Sequence, residues 1–194
     1  HQVNLEPPKL DGYDAVVIRS ATKLSRDVIE SSPSLRIIGR AGVGVDNIDL
    51  NAATSAGILV CNTPSASTQS VVELTIGHLL ASIRFVPKAD RDLRSGEWTK
   101  KQLRGTELFG KRIGFIGFGR IAQGVGRVAR TFGMELHAYD PYLPVEVALE
   151  QNCTLHKEVD DIFKTCTHIA VHCNLTKDTH HLVNSHTLSL MPGI

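Results

Sequence analysis

Short runs of β-branched and other apolar residues alternate along this chain with stretches whose apolar positions recur at helical spacing. Asp14–Ile18, Leu35–Ile38, Ile58–Cys61, Arg112–Ile116, Glu135–Tyr139 and His168–His172 read as strands, with a further short one near Thr154. They are too apolar to face water on one side, which is the pattern of a parallel sheet covered by helices. Between them, Ser25 precedes a helix at Arg26–Glu30, Asp49 opens one that Gly57 closes, and Arg120–Phe132 ends at Gly133. Ser and Asp side chains accept from the free N–H groups of a first turn, and glycine supplies the left-handed residue after a last one. The alternation predicts a doubly wound α/β architecture with parallel sheets.

The alternation breaks once. A long helical pattern runs from Thr68 to Lys88 through Val71, Leu74, Ile76, Leu79, Leu80 and Ile83, followed by a polar stretch, Ala89–Gly110, without a strand signal. This places a domain junction before Thr68, giving domains at 1–67 and 68–194 with 68–88 as the crossover helix. A chain of 194 residues is long enough for two small domains.

Composition narrows the partners. The 21 Lys and Arg nearly balance the 20 Asp and Glu, for a net charge of +1, so no basic field invites nucleic acid or an anionic membrane. No apolar run reaches the roughly 18 residues of a membrane span. The four cysteines, Cys61, Cys153, Cys166 and Cys173, show no Cys-x-x-Cys spacing, which favours a reducing, cytoplasmic setting over a disulfide or zinc framework. His1–Pro8 has neither the charged nor the apolar region of a leader. The chain lacks an initial Met, and its apolar patterning resumes at Met191-Pro192-Gly193-Ile194, so both ends are expected to be incomplete.

Gly117-Phe118-Gly119-Arg120-Ile121-Ala122 follows a strand and opens a helix. Such a turn lets the backbone approach a pyrophosphate, which rests on the free N–H groups of the helix start. Ala122 stands at the third position, where the fingerprint needs only a small residue for helix–strand packing. Asp140 ends the next strand, 23 residues after Gly117. A carboxylate there accepts from both ribose hydroxyls of NAD and repels the 2′-phosphate of NADP. The bland alternative makes Asp140 a helix cap or the start of an Asp-Pro turn.

A second glycine-rich loop, Gly39-Arg40-Ala41-Gly42-Val43-Gly44-Val45-Asp46, follows the strand at Leu35–Ile38. Gly42 and Gly44 would let N–H groups converge on an anion, with Arg40 as a forked cation; otherwise it is a turn with a solvated arginine. His168 and His172 share a strand face, with His180 and His181 soon after. A metal site is the lesser reading, and a buried strand whose ring lies near the cofactor is the better one.

The strings Arg19–Lys23, Gly39–Asp49, Asn62-Thr63-Pro64, Glu73-Leu74-Thr75, Gly96-Glu97-Trp98, Gly105–Leu108, Gly110-Lys111, Gly117–Ile121, Tyr139-Asp140-Pro141 and His172–Thr176 resemble, in order, those of D-isomer-specific 2-hydroxyacid dehydrogenases. Within that family the likeness is strongest to the phosphoglycerate-oxidising subgroup. The resemblance implies a flavodoxin-like substrate domain and a Rossmann NAD-binding domain. It makes Gly117, Gly119, Arg120, Ile121, Asp140, His172 and Cys173 cofactor contacts, with Val43 facing the nicotinamide, and puts Arg40, Gly42, Val43, Gly44 and Ser67 on the substrate side.

It also implies NAD-dependent oxidation of 3-phosphoglycerate to 3-phosphohydroxypyruvate, the first step of serine biosynthesis, in a homodimer or homotetramer. Ser65-Ala66-Ser67 departs from the subgroup's glycine and substrate-contacting Asn, and Asn174 replaces a Pro. A glyoxylate or hydroxypyruvate reductase, or a non-catalytic NAD-sensing corepressor, are the alternatives. The family's catalytic Arg, Glu and His come from segments beyond the position of Ile194, so no catalytic residue is expected within this chain.

Overall fold

The computed structural model describes residues 8–193, so the leader reading at the N-terminus falls largely outside the described residues. The chain divides into two compact units between Ser67 and Thr68.

The first unit is a parallel sheet of β1 (Ala15–Ile18), β2 (Ile37–Arg40) and β3 (Leu59–Asn62), side by side in that order. Helices α1 (Arg26–Glu30) and α2 (Leu50–Ser55) connect them. Asp49 caps α2, its side chain accepting from Ala52 N at 2.8 Å, whereas Ser25 precedes α1 without a side-chain cap. Leu24, Ile29, Ile38 and Ala53 are fully buried in the core. Val17, Ile37 and Leu59 lie exposed, so among the described residues only one face of this sheet is covered. The order reversal of a flavodoxin-like sheet is not among the described strands.

One strand lies later than the apolar pattern predicts. Leu35 belongs to a tight turn, its N–H bonding to Ser32 O at 3.0 Å, and its burial reflects anchoring rather than pairing. The ladder runs instead to Arg40, which is in register with Ile18 on one side and Asn62 on the other.

The predicted crossover helix is two helices. The first, α3 (Thr68–Ile83), meets α4 (Val86–Arg94) at a bend of 66°. Pro87 has no N–H to offer Ile83 O, four residues earlier, and would clash with it in a continuous helix. Ile83 O takes the N–H of Thr106 instead, and Phe85 turns the chain at φ +54°. Much of the polar stretch that follows is therefore helical: the rest of α4, then a 3-10 turn at Lys100–Gln102. No single helix among the described residues is long and apolar enough to cross a membrane.

The second unit's sheet consists of β4 (Arg112–Ile116), β5 (Glu135–Tyr139), β6 (Cys153–His156) and β7 (His168–Val171), all parallel, in the order β6-β5-β4-β7. Helices α5 (Arg120–Thr131), α6 (Val145–Glu150) and α7 (Val159–Thr165) join them, and α8 (Ser185–Ser189) follows. This is the start of the Rossmann order, which reverses between its first and fourth strands. Phe115, Phe118, Val125 and Ala129 are fully buried between sheet and helices. A Cβ on Gly124 of α5 would stand 2.6 Å from a methyl of Val72, so the glycine is what lets α3 lie against α5.

Candidate functional site

The reversal of strand order lies between β4 and β7, and parallel sheets bind ligands beyond their carboxyl ends at such a point. Both loops that leave these strands meet there. Gly117, directly after β4, adopts φ +83°, and its N–H bonds to Tyr139 O at 2.9 Å. A Cβ on Gly117 would lie 2.9 Å from Cys173 N, so glycine alone lets the β4–α5 turn rest on the chain leaving β7. His172 N donates to Ile116 O at 2.8 Å, closing the same junction.

Gly119 is the N-cap of α5, and a Cβ there would meet nothing within 4 Å. Open space therefore faces the positive end of a 12-residue helix. Arg120 is exposed at the first helical position, while Ile121 is half-buried and packs on the core. The residue between the glycines, Phe118, is buried and its ring is tilted 56° to that of Phe115, with centroids 5.3 Å apart. Gln123 Nε2 donates to Phe118 O at 2.9 Å. Sequence reasoning passed over both anchors, although an apolar residue between fingerprint glycines is itself a sign that the turn is pinned to the core.

Asp140 does two jobs. Its Oδ1 accepts from Tyr142 N at 3.0 Å, which is the Asx turn of the bland reading, and its Oδ2 accepts from Phe118 N at 2.8 Å. A carboxylate has about four acceptor sites, so lone pairs on both oxygens remain for the two hydroxyls of a ribose. The carboxylate thus stands at the glycine turn, where an NAD ribose would follow its pyrophosphate.

His172 stacks on Phe115, with centroids 6.2 Å apart. Its Nε2 is buried without a partner among the described residues, and burial pushes the imidazole below its ordinary pKa, so it stays neutral near pH 7. Cys173 is half-buried beside it. Burial pushes the thiols of Cys153 and Cys166 up to about 12, so neither supplies a thiolate near neutral pH. Among the described residues no group of three or more His, Cys, Asp or Glu side chains could hold a metal.

The residues expected on the substrate side belong to the first unit, and their geometry does not make the anion nest that their glycines suggest. Gly42 N–H is already bonded to Arg40 O at 2.9 Å, and Gly44 lies against Asp46, whose Oδ1 would be 2.9 Å from a Cβ there. A spent donor and a neighbouring carboxylate do not make a nest for an anion. Arg40 lies in β2, and its Nη1 donates to Ala41 O at 3.2 Å while its Nε is buried without a partner. Val43 is exposed, its carbonyl held by Asn62 Nδ2 at 2.8 Å. Ser67 is half-buried in the turn before α3.

The sequence profile of the D-isomer specific 2-hydroxyacid dehydrogenase NAD binding domain matches residues 76–193. The chain is 47% identical over 183 residues to the D-3-phosphoglycerate dehydrogenase of Methanocaldococcus jannaschii, covering 94% of this chain and 35% of that protein. It is 44% identical over 179 residues to the hydroxypyruvate reductase of Thermotoga maritima, covering 92% and 57%. The structure of D-lactate dehydrogenase from Aquifex aeolicus complexed with NAD and lactic acid superposes with a TM-score of 0.85 at 28% identity, covering 97% of this chain and 56% of that one. The chain thus spans between about a third and three fifths of the length of these relatives. The glycine turn, the acid it shares with β5 and the matching profile lead to one conclusion: this chain belongs to the D-isomer specific 2-hydroxyacid dehydrogenase family, and its second unit is that family's NAD binding domain.

Proposed function

We propose that the protein oxidises 3-phosphoglycerate to 3-phosphohydroxypyruvate with NAD, feeding serine biosynthesis. The observation that carries the cofactor half of this reading is the Asp140 carboxylate fixed on Phe118 N at 2.8 Å beside the open N-terminus of α5. NAD, when bound, supplies the hydride acceptor. The α5 N–H groups at Gly119, Arg120 and Ile121 hold its pyrophosphate and Asp140 its adenosine ribose. His172, neutral and unpartnered at Nε2, and Cys173 line the nicotinamide side.

Arg40 binds the anionic substrate with Val43 and Ser67 beside it, and Gly42 and Gly44 shape the loop rather than donate to the anion. The buried, unpartnered Nε of Arg40 supports this role, because a bound anion would satisfy it. The 47% identity to a D-3-phosphoglycerate dehydrogenase favours phosphoglycerate. The 44% identity to a hydroxypyruvate reductase supports a second reading, reduction of a short 2-oxo acid. The protein works in the cytoplasm, where its thiols stay reduced, as a homodimer or homotetramer joined through α3, whose Leu74 is exposed.

The test is a steady-state assay of the intact gene product with NAD and 3-phosphoglycerate, against NADH with hydroxypyruvate and glyoxylate. Phosphoglycerate oxidation with the highest kcat/KM, and a raised KM in Arg40→Ala, is expected. A higher kcat/KM for an unphosphorylated 2-oxo acid would select the second reading.

A further inference from the structure

Arg40 ends β2 in register with Asn62, the last residue of β3. The chain beyond it turns at once, Gly42 N donating to Arg40 O at 2.9 Å. A Cβ on Gly42 would overlap Arg40 Nη1 and stand 2.7 Å from Cζ and 3.5 Å from Nε. The guanidinium therefore lies over Gly42, in the space that any other residue would fill with its side chain. Its Nη1 is tied to Ala41 O at 3.2 Å. Where this backbone sits decides where the cation sits.

The backbone is held from the end of β3. Thr63 N donates to Gly42 O at 3.1 Å, and Asn62 Nδ2 donates to Val43 O at 2.8 Å. Val43 stands between Gly42 and Gly44, and glycine loses more conformational freedom on being ordered than any other residue. Such a loop does not keep one shape by itself. The Thr63 bond is main chain to main chain, so any residue but proline would make it, whereas the Asn62 bond depends on the side chain.

Packing does not account for Asn62. It is exposed, so it adds nothing to the core, and asparagine is a poor strand residue. Its amide is spent on Val43 O. Arg40 Nε, meanwhile, is buried without a partner among the described residues, and it is the donor that needs an acceptor from outside the loop.

We propose that Asn62 is a positioning residue for the anionic substrate: by holding Val43 O it fixes the loop on which the Arg40 guanidinium rests. The inference rests on the reading of Arg40 as the cation that binds the substrate. Asn62 itself touches neither substrate nor cofactor. Its loss lets the cation move with the loop, so the cost falls on substrate binding and not on hydride transfer.

The experiment is a double-mutant cycle on the intact gene product: Arg40→Ala, Asn62→Ala and the two together. Each is read as KM and kcat with whichever of 3-phosphoglycerate and hydroxypyruvate the wild type turns over faster, and as NADH affinity by titration. Asn62→Ala, an exposed change, should raise KM for the acid by about threefold to tenfold. Its kcat should stay within about twofold of the wild type, with NADH affinity unchanged. In the Arg40→Ala background the same substitution should add less than about twofold to KM, because the cation it positions is gone. A KM rise of equal size with and without Arg40 would overturn the proposal, as would an unchanged KM in Asn62→Ala when Arg40→Ala raises it. An unchanged KM in Arg40→Ala would instead remove the reading of Arg40, and this inference with it.

Discussion

Asp140 Oδ2 accepts the N–H of Phe118 at 2.8 Å, across 22 residues of sequence, so the acid at the end of β5 also shapes the glycine turn at the end of β4. Removing it should disturb the turn as well as the ribose contact proposed for it. In Asp140→Ala the Phe118 and Tyr142 N–H groups lose their charged acceptor, and unfolding stability should fall by about 1–3 kcal/mol. Urea unfolding of the wild type and variant checks this. An unchanged midpoint would mean that water replaces the carboxylate at the turn.

The two fingerprint glycines should separate folding from binding. Gly117→Ala places a Cβ at φ +83°, 2.9 Å from Cys173 N, and should lower stability by about 1–3 kcal/mol. Gly119→Ala sits at φ −74° in open space, so stability should stay within about 0.5 kcal/mol, yet its methyl intrudes where a pyrophosphate would rest. Thermal melts and NADH titrations of both variants should therefore rank them in opposite order.

Thiol labelling reports the same site. Cys61 is exposed and Cys173 half-buried, while Cys153 and Cys166 are buried with thiols pushed up to about 12. A thiol-specific reagent should modify Cys61 and Cys173 in the folded chain and spare the other two. NADH should slow modification of Cys173 and leave Cys61 unaffected, as read by mass spectrometry of peptides.

The pH dependence follows from three histidines. Burial holds the pKa of His137, His168 and His172 below the ordinary value of 6.5. The unfolded chain therefore binds these protons more readily than the folded one. The stabilisation is complete above pH 6.5 and is lost as pH falls through the lowered folded values. Unfolding midpoints measured at about pH 7.5 and 5.5 should fall at the lower value, and less so in His168→Phe.

The strands and the cofactor turn were legible because each carries a local signature. Arg112–Ile116 and Glu135–Tyr139 lie where their apolar runs place them, and Gly117 and Gly133 take the positive φ that a turn and a helix end require. The bend at Phe85 was not read, because apolar spacing continues through it and only Pro87 marks the break. The double use of Asp140 was not legible either: cap and ribose ligand were weighed as rivals, and nothing local says that one carboxylate has oxygens enough for both. At Gly42 and Gly44 glycine content suggested free N–H groups, but whether an N–H is free depends on partners, here Arg40 O, that spacing does not reveal.

The most direct measurement is a fluorescence titration of the 194-residue chain with NADH and with NADPH. Asp140, with lone pairs to spare and no cation in Pro141-Tyr142-Leu143 to receive a 2′-phosphate, predicts NADH binding at least about tenfold tighter than NADPH, with the preference lost in Asp140→Ala. Equal affinity for the two in the wild type, or a preference that survives the loss of Asp140, would contradict the account.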